Sequence, residues 1–173
     1  TDINTGTLKD IRRLSMQISA RNQISGIVEL ITNGTVNAEV YIKLKSGYTI
    51  VSVITNTAVS NLNLKLGDEV VAIFKSNTVL ITTDISLNIS ARNKLQGKVD
   101  SINKGEINSE LIIDIGNGDK VASIITSNSI DNLKIKEGTQ VSAIIKASDV
   151  MIGKKKKKWW NKVESCLQVK KYF

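Results

Sequence analysis

The chain has no histidine anywhere in its 173 residues, a single cysteine, and few aromatics: two Trp, three Tyr and two Phe. Without histidine there is no Ser-His-Asp or Cys-His nucleophilic arrangement, and the commonest transition-metal ligand is missing. The lone Cys166 offers no disulfide framework, which suits a reducing cytoplasm. Aromatics make up only 4% of the chain, and about half of them fall in the last 20 residues. The stacking platform of a single-strand nucleic-acid binder is therefore absent. No apolar run is long enough to cross a bilayer, and no segment has the basic start and apolar core of a signal peptide.

Charge is plentiful but uneven. The net charge is +8, yet residues 154–173 (KKKKKWWNKVESCLQVKKYF) hold eight lysines against one glutamate. Removing them from the totals of 24 basic and 16 acidic residues leaves 16 and 15, so the rest of the chain is nearly neutral. Basic residues there must matter locally if they matter at all. The tail itself, with Trp159 and Trp160 beside its lysines, reads as a solvated, disordered end.

What the sequence does have is a repeat. A shift of 71 positions lays SARN at 19–22 on SARN at 90–93, Gly26 on Gly97, Gly34 on Gly105, Ile54-Thr55 on Ile125-Thr126, Gly67 on Gly138 and Lys75 on Lys146. About 25 of the 64 pairs from 19 to 82 are identical without a gap, which marks a duplicated module. The expected organisation is a linker or short helix at 1–18, a first repeat at 19–82, a second at 90–153, and the basic tail at 154–173. A unit of this size buries only about 60% of its unfolded surface. The repeats should pack on each other, on a second chain, or both.

Within each repeat the patterning is that of strands. Val36, Ala38, Val40, Ile42 and Leu44 alternate with polar residues, and Ile107, Leu111, Ile113 and Ile115 repeat the pattern. Glu39 and Glu110, the acids that recur, sit on the polar phase and read as part of a solvated face. Asn33-Gly34, Ser46-Gly47, Gly67-Asp68 and Asn117-Gly118 supply turns. After Thr55 and Thr126 the segments NTAVSNLNLKLG and SNSIDNLKIKEG each read as a short helix closed by its terminal glycine. The expected fold is all-β: two tandem OB-like barrels, each with one short helix.

A polar set recurs with the repeat: Ser19 and Ser90, Arg21 and Arg92, Asn22 and Asn93, Thr55 and Thr126, Lys75 and Lys146. Arg presents a planar fork to two oxygens, Lys a compact charge, and Ser and Thr further donors. Thr55 and Thr126 precede a helix start, where free N–H groups favour an anion. Together these residues describe an oxyanion site. Each also has a purely structural reading: SARN as a turn, Thr55 as a helix cap, Lys75 as a strand-end charge.

These residues resemble the Mop domain, the molybdate-binding module of the molbindins and of the molybdate-responsive transcriptional regulator. The resemblance covers roughly residues 13–153 and rests on SARN followed at fixed offsets by an Ile-Thr pair and a Lys-[Ser/Ala] pair. It implies OB-like barrels that bind molybdate or tungstate where Mop units meet, with ligands from two chains. Carried over position by position, it nominates Ser19, Arg21, Thr55, Lys75 and Ser76, and from the second repeat Ser90, Arg92, Thr126, Ser129, Lys146 and Ala147. The family's serine three places after the threonine is Ala58 in the first repeat, which points to a weaker site there.

The functional expectation is a cytoplasmic non-enzyme, the effector-sensing part of a molybdate-responsive regulator. The alternative is a free-standing tandem molbindin that stores molybdate, supported by two intact SARN motifs. No helix-turn-helix pattern occurs, so DNA would be reached only through a domain this chain lacks. An accessory domain of a transporter ATPase is a third reading, although no phosphate-binding loop is present. A homo-oligomer is expected, most simply a dimer, with no membrane partner.

Overall fold

The computed structural model describes residues 17–155. Most of the 1–18 segment and of the basic tail, Cys166 and the tryptophans included, lies outside the described residues. The first half contains β1 (Asn22–Asn33), β2 (Asn37–Leu44), β3 (Thr49–Thr55), the helix α1 (Asn56–Asn61), β4 (Glu69–Phe74) and the short β5 (Leu80–Thr82). The second half contains β6 (Asn93–Lys104), β7 (Asn108–Gly116), β8 (Asp119–Thr126), α2 (Ser127–Asn132), β9 (Gln140–Ile145) and β10 (Met151–Gly153). The molecule is all-β, with two curled five-stranded sheets of OB-like form.

The sheets do not coincide with the repeats. One has the strand order β10-β4-β1-β2-β3, the other β5-β9-β6-β7-β8. Each repeat therefore gives its last strand to the other: Leu80 lies opposite Ile144, and Met151 opposite Ile73. A single-turn 3-10 helix before each exchanged strand, Ser76–Thr78 or Ala147–Asp149, packs against β8 or β3 of the opposite half.

The alternating residues of β2 behave as their period demands. Ala38, Val40, Ile42 and Leu44 are buried in one core with Val28, Phe74 and Val79. Leu111, Ile113 and Ile115 do the same in β7. Val36 and Ile107 do not: they stand at the tips of the β1–β2 and β6–β7 hairpins and are 68% and 77% exposed. A Cβ on Gly26 would lie 2.5 Å from the Ile42 side chain and 2.7 Å from the Lys43 carbonyl, so only glycine lets β2 cross β1 this closely. Gly97 meets Asp114 and Ile113 in the same way.

The helices stop earlier than their glycines suggest. The N–H of Asn63 donates to Ser60 and that of Leu64 to Val59, the paired bonds of a Schellman close. Lys134 and Ile135 repeat these bonds after α2. The residues in left-handed conformation are Asn63 (φ 48°) and Lys134 (φ 53°). Gly67 and Gly138 instead serve the following turn, at φ 87° and 83°.

Candidate functional site: two clusters at the seams between the repeats

Each SARN segment ends against the opposite repeat. The buried amide of Asn93 donates to the Val51 carbonyl (2.8 Å) and accepts from the Val51 N–H (2.7 Å). Asn22 does the same to Ala122, at 2.8 Å in both directions. Both targets lie on the outermost strands, β3 and β8, so each side-chain amide pairs backbone groups that a sheet edge would leave open. Ser52 and Ser123 complete the seams by donating to the carbonyls of Val150 and Val79. The asparagines of SARN are therefore clamps.

The arginines beside them reach further along the same strands. Arg21 Nη2 donates to Glu110 Oε1 at 2.6 Å. Arg92 Nη1 donates to Glu39 Oε1 at 2.6 Å, and its Nη2 donates to the Tyr41 hydroxyl at 2.9 Å. The expected solvated face at Glu39 and Glu110 carries an ion pair across each seam. Both glutamates are on the polar phase, but each is partnered by the arginine of the other repeat and is only 33% or 24% exposed. The Arg92 guanidinium, followed by the Tyr41 hydroxyl, holds the Glu39 carboxyl below its ordinary range, and the same contacts push Arg92 upward.

Register places the remaining residues. Phe74 lies opposite Asn22 in the β1–β4 pair, so Lys75 and Arg21 leave adjacent strand ends side by side. Ile145 lies opposite Asn93, which does the same for Lys146 and Arg92. In β7–β8, Glu110 is opposite Ile124 and Asn108 opposite Thr126. Thr126 is therefore the diagonal neighbour of Glu110 on one face, a separation of about 7 Å. Thr55 stands in that relation to Glu39, through the pairs Glu39–Val53 and Asn37–Thr55.

The consequence is a regrouping across the repeats. By strand register and the packing of the 3-10 turn on β8, Arg21, Lys75 and Ser76 of the first repeat lie on one seam with Glu110, Thr126 and Ser129 of the second. Arg92, Lys146 and Ala147 of the second lie on the other with Glu39, Tyr41, Thr55 and Ala58 of the first. Within the chain, then, the seams group Thr126 with Arg21 and Thr55 with Arg92, where the repeat taken alone would join Thr55 to Arg21 and Thr126 to Arg92. Ser19 and Ser90 are exposed in the bends that lead into β1 and β6.

Thr55 and Thr126 are helix caps, accepting from the N–H of Ala58 (3.1 Å) and Ser129 (3.2 Å). The Thr126 and Ser129 hydroxyls also touch each other at 2.7 Å. Ser76 and Ala147 are buried at the starts of their 3-10 turns. A shallow cavity of about 200 Å³ adjoins the Arg21 cluster, lined by Asn103, Gly105, Asn108, Ser109, Glu110 and Ile124.

Lys154, grouped with the tail on composition, docks on the first barrel. Its Nζ donates to Asp68 (2.8 Å) and to the Asn63 carbonyl (2.9 Å), and it lowers the Asp68 pKa. Among the described residues no helix is long and apolar enough to cross a membrane.

Sequence reasoning missed Glu39, Glu110 and Tyr41 as parts of these clusters. Their recurrence was visible for the acids, but the arginines that meet them come from 53 and 89 positions away.

Two OB-like barrels that complete each other's sheets, with side chains from both repeats converging at each seam, define a duplicated β-barrel module. The chain belongs to the TOBE domain family, whose model matches residues 18–81 and 89–152. It is 37% identical over 155 residues to the molybdenum transport protein ModE of Azotobacter vinelandii, covering 87% of this chain and 57% of that protein. It is 35% identical over 146 residues to the molybdenum-pterin-binding protein MopA of Rhodobacter capsulatus, covering 84% and 55%. The chain thus spans little more than half the length of these relatives. The crystal structure of the cytoplasmic molybdate-binding protein ModG with molybdate bound superposes with a TM-score of 0.78 at 40% identity, covering 81% of this chain and all of that one.

Proposed function

We propose that this chain binds molybdate or tungstate, and that the two seam clusters are its binding residues. The observation that carries this reading is the register that sets Lys75 beside Arg21 and Lys146 beside Arg92, on seams that also bear Thr126 or Thr55 of the opposite repeat. An arginine fork and an ammonium provide charge-assisted donors to the oxygens of a tetrahedral dianion, and the hydroxyls add neutral ones. ModG, whose crystal structure holds molybdate, shares this fold at 40% identity. The role is binding, in the cytoplasm, without catalysis. Calorimetry with molybdate, tungstate and sulfate tests it: the first two bind and sulfate binds much more weakly. Sulfate binding as tightly as molybdate would refute the selectivity.

Within that role the chain is the effector-sensing part of a molybdate-responsive regulator. The match to ModE, 37% identical over 87% of this chain, supports this. A free-standing molybdate store is favoured instead by ModG, all of which is covered by this chain. The gene upstream of the Thr1 codon decides between them: an in-frame helix-turn-helix makes it a regulator. The chain also associates with copies of itself, most simply as a dimer, which sedimentation with and without molybdate tests.

A further inference from the structure

The two arginines are engaged by side chains of the chain itself, and unequally so. Arg21 gives one hydrogen bond, to Glu110. Arg92 gives three: Nη1 to Glu39 Oε1 at 2.6 Å, Nη2 to Glu39 Oε2 at 3.4 Å, and Nη2 to the Tyr41 hydroxyl at 2.9 Å. Tyr41 in turn donates to Glu39 Oε2 at 2.9 Å. The position of Tyr41 is filled by Ile112 in the second repeat, so Glu110 has no such neighbour.

A carboxylate and a tetrahedral oxyanion ask for the same thing from a guanidinium: two oxygens along its fork. They also repel each other. The arginine side chains are 54% and 45% exposed, so a small ion can reach them from solvent.

We propose that Glu39 and Glu110 are built-in competitors for the arginine forks, and that Tyr41 latches Arg92 so that an entering dianion occupies the Arg21 cluster first. This rests on the oxyanion reading given above and adds to it the residues that set affinity and order. Each glutamate neutralises its arginine and keeps it extended along the seam. Entry of a dianion displaces the carboxylate from the fork or shares the fork against repulsion. Displacement is harder at Arg92, where three hydrogen bonds must yield.

The test is calorimetry with sodium molybdate on the wild-type chain and on E39Q, E110Q, Y41I and I112Y. Glutamine keeps an acceptor and removes the charge, so E110Q and E39Q each tighten molybdate binding, by roughly threefold to tenfold. Y41I tightens the weaker class of sites, and I112Y weakens the stronger class. A merely structural glutamate gives the opposite sign, because its loss would loosen the arginine. Thermal unfolding of each variant checks folding, and Y41I with I112Y carries the test should either glutamine variant unfold. If the wild type binds molybdate while E39Q and E110Q bind no better than it does, the inference is overturned and the oxyanion reading stands. If the wild type shows no binding heat, the oxyanion reading fails and the inference with it.

Discussion

The Arg21 and Arg92 clusters share one backbone plan and differ at three positions. Where the Arg21 cluster has Ser76, Ser129 and Ile112, the Arg92 cluster has Ala147, Ala58 and Tyr41. Counted within each repeat, the hydroxyls look evenly divided, since the first repeat keeps Ser76 and lacks the second serine while the second does the reverse. Regrouped across the seams they segregate, and one cluster takes both serines. Divergence between duplicated segments therefore acts on composite clusters, and its effect is read only after it is known which segments meet.

The largest effect concerns what the two seams share. Asn93→Ala removes two buried hydrogen bonds and leaves the Val51 N–H and carbonyl open, a loss of about 2–4 kcal/mol. Asn22→Ala exposes Ala122 in the same way and costs about the same. Urea unfolding checks both. A difference above about 2 kcal/mol between them would show that the clamps are as unequal as the clusters.

Next come the arginines. Arg21→Ala should weaken molybdate binding at its own seam by roughly 10- to 100-fold, as loss of a charged hydrogen bond does. Arg92→Ala likewise leaves its glutamate unpaired, and because that seam has alanine at both 147 and 58, binding there should be nearly abolished. Calorimetric stoichiometry separates the two. Equal residual binding in both variants would dissolve the distinction between clusters.

The seams were partly legible in the sequence. The repeat, the strand alternation and the identities of Arg21, Arg92, Lys75 and Lys146 follow from spacing alone. The exchange of β5 and β10 does not, because LIT and MIG carry the same short apolar pattern whichever sheet they join. Asn22 and Asn93 looked like turn residues or ligands because an amide that imitates a backbone neighbour leaves no periodic trace. The helix ends were misplaced for a local reason: Gly67 and Gly138 announce a left-handed turn, while Asn63 and Lys134 adopt one without announcing it.

Smaller changes sharpen the comparison. Installing both serines in the poorer cluster, Ala147→Ser with Ala58→Ser, should raise affinity at the Arg92 seam by about threefold to tenfold and narrow the gap, measured by the same titration. Ser76 holds the equivalent place in the first repeat at the same 6% exposure as Ala147. The least effect is on stability. Lys134 holds a left-handed conformation that suits asparagine or glycine better, so Lys134→Gly should stabilise by about 0.5–1 kcal/mol in urea unfolding. Asn63→Gly should change little.

The strand exchange has a kinetic meaning. A lone repeat that kept this exchange would take its last strand from a second molecule, so its folding would depend on protein concentration. In the duplicated chain the donor is tethered by residues 83–92, and the encounter becomes intramolecular, at an effective concentration on the order of millimolar. Folding is then first order, and neither half can detach without opening the other. Duplication has turned an assembly equilibrium into a property of one polypeptide.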